Sequence, residues 1–251
     1  VLGYEAAVKN KTNIDWGQTT FTVPTFTGHQ LVNDISIETL IPYIDWTPFF
    51  IAWELHGKYP AILSDSIIGA EATKLHMDAM DMLAMIAAQQ WLTPKAVLGF
   101  WPANSNDKDS VEILNTHTNE KIELQFLRQQ LKKAEGLPNY SLADFIAPST
   151  ISKQDHIGAF AVTIHGIEKK IKEFEAVHDD YNKILLQALA DRLAEALAEY
   201  LHEKVRKEYW GYDKQESLSN DALIKEEYTG IRPAPGYPAC PDHTEKKKLF
   251  I

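Results

Sequence analysis

Val111-Glu112-Ile113-Leu114-Asn115-Thr116-His117-Thr118-Asn119-Glu120-Lys121-Ile122-Glu123-Leu124-Gln125-Phe126 is the stretch whose reading decides the fold class. Ile122, Leu124 and Phe126 alternate with Lys121, Glu123 and Gln125, the two-residue period of a half-buried strand. The apolar run 111–114 precedes it across the polar turn Asn115 to Glu120, so the pair reads as an antiparallel hairpin over 111–114 and 121–127. Two further strand-like runs flank it: Ala96 to Trp101, closed by Pro102, and Ile157 to Ile164 with Gly158 inside. Strand and helix do not alternate regularly, which disfavours a doubly wound parallel sheet and predicts an α+β domain.

Outward from the hairpin the helices carry their own signals. Between Ile68 and about Trp91, Leu75, Ala79, Leu83 and Ala87 recur every four residues with Met82 and Ile86 beside them. All four methionines (Met77, Met80, Met82, Met85) lie on this helix, where flexible core filler is a commoner use than a soft-metal site or a promiscuous groove. The longest helical pattern runs from about Glu168 to Tyr209, with Tyr181, Leu185, Leu189, Leu193, Leu197, Leu201, Val205 and Tyr209 at four-residue spacing. Such a row drifts by about 40° per step relative to a 3.6-residue turn. The buried face must therefore rotate, and the pattern predicts either a helix packed on different neighbours at its two ends or one broken partway. A second row, Asp191, Glu195, Glu199 and Glu203, reads as a solvated face neutralised by Arg192, Lys204 and Lys207, unless one member turns inward to meet a cationic ligand. Ser219 or Asn220 can cap a short helix from Ala222 to about Tyr228, and the aromatic run Tyr43, Trp46, Phe49, Phe50, Trp53 reads as core. Residues 1–34 read as an irregular arm.

Composition removes whole classes of function. The 251 residues are 45% apolar and 24% charged with a net charge of −10, the profile of a globular chain without basic blocks for nucleic acid or an anionic membrane. One cysteine, Cys240, excludes an internal disulfide or a multi-thiolate zinc site and suits a reducing cytoplasm. No run approaches a transmembrane span, and the start Val1-Leu2-Gly3-Tyr4-Glu5 carries no signal peptide and no Met, as in a piece cut from a longer chain.

The most informative segment is Ile231-Arg232-Pro233-Ala234-Pro235-Gly236-Tyr237-Pro238-Ala239-Cys240-Pro241-Asp242-His243. Four prolines fix φ and restrict the preceding residues, while Gly236 is free to take positive φ, so the loop is stiff before any ligand arrives. Ala234, Tyr237, Ala239 and Cys240 can offer backbone N–H donors, and most carbonyls are expected to be unpaired. Stiff backbone beside Arg232 suits a flat heterocycle joined to a carboxylate. Other readings are an R-x-x-P-x-x-P ligand for an SH3-type domain, a Cys240–His243 nucleophile and base, or a purely structural loop.

This loop resembles the S-adenosylmethionine-binding signature of the reactivation domain of cobalamin-dependent methionine synthase. The resemblance extends in order through Tyr43-Ile44-Asp45-Trp46-Thr47-Pro48-Phe49-Phe50, Gly57-Lys58-Tyr59-Pro60, Leu142-Ala143-Asp144-Phe145, Ile157-Gly158-Ala159-Phe160-Ala161-Val162, His178-Asp179-Asp180-Tyr181-Asn182, Ala190-Asp191-Arg192-Leu193-Ala194-Glu195 and Tyr209-Trp210-Gly211-Tyr212. It implies a single C-shaped domain over residues 1–251, with a central antiparallel sheet and long helices. It also implies a role in which a methyl group from S-adenosylmethionine restores an oxidised cobalamin. The cobalamin would be held by a neighbouring domain of the parent protein and the electron delivered by a flavodoxin-type partner. Position by position, Arg232 would grip the methionine carboxylate. Ala234, Gly236 and Tyr237 would line the adenine side, and Asp45, with Glu195 and Glu226, would meet the ammonium end. The displacement needs no general acid or base, so the resemblance implies no catalytic side chain and no directly bound metal. The family's domain continues past this loop with further strands and a tyrosine pair, so the sequence reads as truncated at Lys246-Lys247-Lys248-Leu249-Phe250-Ile251. A docking module without ligand binding of its own remains an alternative. An unrelated small-molecule methyltransferase would ordinarily carry a glycine-rich strand-to-helix turn, which this sequence lacks.

Overall fold

A computed structural model describes residues 1–106, 108–116 and 118–249. In chain order its main elements are α1 (Tyr4–Lys9), β1 (Gly28–Val32), α2 (Ile37–Leu40), α3 (Trp46–Ala52), α4 (Gly69–Gln89), β2 (Thr93–Ser105), β3 (Ser110–Leu114), β4 (Lys121–Gln125), β5 (Asp155–His165), α5 (Ile167–Ala176), α6 (Asp180–Lys204) and α7 (Asn220–Ile224). The expected irregular arm thus supplies a short helix and an edge strand.

All strand pairs are antiparallel, and β2 is their spine. It pairs with β5 from Thr93↔His165 to Ala103↔Asp155, while its other side is shared by β1 (Gly28↔Phe100 to Val32↔Ala96) and β3 (Ala103↔Ile113 to Ser105↔Val111). Pro102 does not close this strand, contrary to the sequence expectation. It falls in the interval between the last β1 partner, Phe100, and the first β3 partner, Ala103, where a missing N–H costs no ladder bond on that side. The hairpin of β3 and β4 forms in the register Ile113↔Ile122, and its turn is closed by Asn115 N–H donating to Glu120 O at 2.9 Å. His117 of that turn lies outside the described residues, as do Phe250 and Ile251 of the C-terminal segment.

The long helical pattern is two helices. At Val177–Asp179 the chain breaks, His178 takes φ 56° and the Asp179 carboxylate accepts from Asn182 N–H at 3.1 Å to start α6. α6 also changes neighbours. Leu185, Leu186, Leu189, Leu193, Ala196 and Leu197 pack with Trp46, Phe49, Phe50, Leu75, Met82, Leu83 and Ile86 from α3 and α4. One turn later Leu201, followed by Val205, packs instead on Val32, Ala96, Leu98 and Phe100 of the sheet. Past Lys204 the helix widens into a π-helical turn, Val205–Tyr209, a distortion that re-aims the side chains following it.

On α4 only Met82 is core, at 1% exposure, whereas Met77, Met80 and Met85 are 60%, 37% and 40% exposed. The helical period places Met82 on the inward stripe of Leu75, Ala79 and Ile86 and turns the other three outward, which corrects the core-filler reading.

Leu197, fully buried where α6 passes from helix to sheet neighbours, is expected to cost about 3 kcal/mol when cut to alanine. Glu195, exposed on the same helix, is expected to change stability by under about 0.5 kcal/mol as Glu195→Ala. Urea unfolding of the two variants measures the contrast.

Candidate functional site

The Pro-rich loop is fastened at both ends by different forces. At its start the Arg232 guanidinium donates from Nη2 to Glu199 Oε1 on α6, with both side chains about four-fifths buried. At its end Cys240 is 7% exposed in a cluster with Ala103, Val111, Ile113, Leu124, Phe126, Ala143 and Ile146 at the far end of the sheet. Ala239 O accepts from Leu142 N–H at 2.9 Å. The segment that presents Leu142 is itself pinned, because buried Arg128 donates to Asn139 O at 2.7 Å and to Asp144 Oδ1 at 2.7 Å while also pairing with Asp109.

Between these anchors the loop bonds to itself. Tyr237 N–H donates to Ala234 O (3.1 Å), Gly236 N–H to Cys240 O (2.8 Å) and Cys240 N–H to Tyr237 O (2.9 Å). The expectation of free carbonyls is therefore corrected, because four of them accept bonds within this loop or from Leu142. The Ala234 N–H is left without an intramolecular acceptor among the described residues. Gly236 takes φ 104°, and a Cβ there would stand 2.7 Å from His243 Nε2, so backbone freedom and close approach both require glycine. The bonded turns are incompatible with an extended polyproline ligand. Burial pushes the Cys240 thiol pKa up and packs its side chain into the core, which removes the nucleophile reading.

Beneath Arg232 lies a second, deeper layer. Arg206, on the π-helical turn and fully buried, donates from Nε to Glu216 Oε2 (2.5 Å) and from Nη2 to Glu216 Oε1 (2.7 Å). Its Nη1 lies 2.6 Å from His202 Nδ1. Guanidinium groups only donate, so His202 accepts through Nδ1 and is neutral. Burial first, then the charges of Arg206 and Arg232, push the His202 pKa down to about 2. The Tyr228 ring covers this pair, 4.4 Å from the Arg206 guanidinium and 4.7 Å from the His202 ring. Burial raises the Tyr228 pKa although Arg232, its hydrogen-bond neighbour, acts to lower it. The order from the core outward is thus Arg206, Tyr228, Arg232.

The acidic row divides. Asp191 and Glu195 stay exposed, but Glu199 turns in to Arg232, and Glu203 accepts from Tyr43 Oη at 2.6 Å and Lys207 Nζ at 3.0 Å. Burial raises the Glu199 pKa against the opposing pull of Arg232 and Arg206, and the charge of Glu226 raises it further.

Of the residues expected at the site, Arg232, Ala234, Gly236 and Tyr237 share the loop, with the Tyr237 side chain exposed. Glu226, at φ 56° after α7, is close enough to act on Glu199. α7 ends at Ile224, short of the expected Tyr228, which leaves Glu226 and Tyr228 on irregular chain. Asp45 caps α3, accepting from Thr47 N–H at 3.0 Å, and the adjoining Ile44 O accepts from Asn220 Nδ2 at 3.3 Å. Neither Asp45 nor Glu195 joins the contacts around Arg232. Sequence reasoning passed over Glu199, Tyr228, His202, Arg206 and Glu216. Glu199 was visible as a row member, whereas nothing in spacing joins Arg206 to Glu216.

The family model described as the activation domain of vitamin B12 dependent methionine synthase matches residues 36–251. Among solved structures the chain is similar to the crystal structure of the MetH reactivation domain bound to AdoHcy, with 53% identity and a TM-score of 0.91 over 99% of this chain and 77% of that one.

A buried neutral His202 binds its proton more weakly in the folded chain than in the unfolded one, so its contribution to stability is lost as pH falls below about 6.5. His202→Asn keeps an acceptor for Arg206 without titrating. The stability difference between pH 7 and pH 5 is expected to shrink by about 2 kcal/mol in this variant, measured by denaturant unfolding at both pH values.

Proposed function

Because the chain belongs to the vitamin B12 dependent methionine synthase activation-domain family, we propose that it binds S-adenosylmethionine at the Arg232–Tyr237 loop and serves the reductive methylation of an inactive cobalamin. The family places it as one domain of a methyltransferase, with the cobalamin domain of the parent protein as the surface on which it acts. A flavodoxin-type electron donor and a cytoplasmic setting complete the proposal. The single buried thiol agrees with a reducing compartment.

The residues fit the ligand. S-adenosylmethionine supplies an electrophilic methyl on a sulfonium and carries an ammonium, one carboxylate and an adenine. The loop sets one cation, Arg232, beside the acids Glu199 and Glu226, and holds the Ala234 N–H without a partner where a heterocycle could accept from it. Arg232 would bind the carboxylate, while Ala234 and Tyr237 would orient the adenine, with Gly236 allowing the close approach. Asp45, Glu195 and Glu226 supply the acidic surroundings of the cationic end. Because these side chains bind and aim without exchanging protons with the reacting atoms, the domain's contribution is geometric.

The observation that carries this reading is a half-buried arginine held at the mouth of a pre-bonded loop. Titration calorimetry with S-adenosylmethionine is expected to show binding that Arg232→Ala weakens by about 10- to 100-fold, the range of a charge-assisted hydrogen bond. A folded wild-type domain that gives no binding heat, or an Arg232→Ala variant that binds equally well, overturns the proposal.

A further inference from the structure

The pair Glu199–Arg232 is only half made. Arg232 Nη2 donates to Glu199 Oε1, yet Glu199 Oε2 and Arg232 Nε are both buried without a hydrogen-bond partner. A pair that satisfied itself through Nε and Nη2 against both oxygens would leave neither atom idle. The structure instead leaves one idle acceptor and one idle donor side by side, and leaving such atoms unpaired in a partly buried site is costly. An α-amino acid zwitterion is the complement of that defect. Its ammonium donates, its carboxylate accepts, and the two share one carbon, so their partners must be neighbouring groups of opposite charge.

We propose that Glu199 and Arg232 together form the subsite for the amino-acid end of the ligand, with Glu199 receiving the ammonium and Arg232 the carboxylate. This rests on the reading of the loop as the S-adenosylmethionine site. Both idle atoms are closed off while the pair is made, so the head group enters by opening it, and each side chain exchanges its internal partner for a ligand group of the same charge. The ion pair is thereby the empty form of the subsite. Geometry selects Glu199 over the acids suggested by resemblance: Glu199 touches Arg232, Glu226 acts on Glu199 only at longer range, and Asp45 is engaged in capping α3. Tyr228, backed by Arg206, keeps the guanidinium at this level when Glu199 lets go.

The test compares two probes, S-adenosylhomocysteine, which has the amino-acid end, and 5′-methylthioadenosine, which lacks it. Glu199→Gln retains a hydrogen-bonding oxygen for Arg232 and removes only the charge, and its melting temperature checks that the fold is kept. The variant is expected to bind S-adenosylhomocysteine about tenfold more weakly than wild type and 5′-methylthioadenosine within about twofold. Equal losses for both probes, or unchanged or tighter S-adenosylhomocysteine binding, would overturn the subsite while leaving the site reading intact. A wild-type domain that binds neither probe removes the site reading and the subsite with it.

Discussion

The attachment of one proline-rich loop to two separate parts of the fold is the constraint on which the rest of the site depends. Arg232 ties the loop to α6 through Glu199, and Cys240 ties it to the far end of the sheet through apolar burial. The two anchors are of different chemical kinds. The ionic one is polar, partly hydrated and exchangeable, and the apolar one is fixed by packing. A loop held this way can keep its shape while its charged end changes partner. Proline restriction and the internal bonds among Ala234, Gly236, Tyr237 and Cys240 lower the entropy that a ligand would otherwise have to remove.

For both anchors to exist, α6 must reach from the helical layer to the sheet. Its four-residue leucine row does this by winding around the helix, so that Leu197 faces α3 and α4 while Leu201 faces β1 and β2. The same winding carries the acidic row inward, which is why Glu199 and Glu203 leave the surface while Asp191 and Glu195 do not. The π-helical turn at Val205–Tyr209 then places Arg206 beneath Tyr228. Packing thus determines where the charges stand, and the charges determine how the loop is held.

Much of this was legible in the sequence, for identifiable reasons. The hairpin of β3 and β4 follows from strict alternation, the core of α4 from its Leu75, Ala79 and Leu83 spacing, and the stiffness of the loop from its prolines. The break at His178 was open because an overshooting row permits either a continuous or a broken helix. Pro102 misled because local propensity cannot know that two partner strands will leave an interval opposite it. The methionines misled because a soft side chain carries no directional signal about which face it takes. The Arg206–Glu216 pair has no periodic relation at all, being formed by tertiary folding of the chain after α6. The site was legible at Arg232, Gly236 and Tyr237, where chemistry is concentrated in one stretch, and illegible at Tyr228 and His202, whose roles come only from what lies beneath and above them.

The central claim is that the loop is built before the ligand arrives. Amide hydrogen exchange over residues 232–241, without and with S-adenosylhomocysteine, tests it most directly. The account requires Gly236, Tyr237 and Cys240 to be protected already in the ligand-free protein, with little further gain on binding. Exchange of these amides at the rate of an open loop until ligand is added would contradict it.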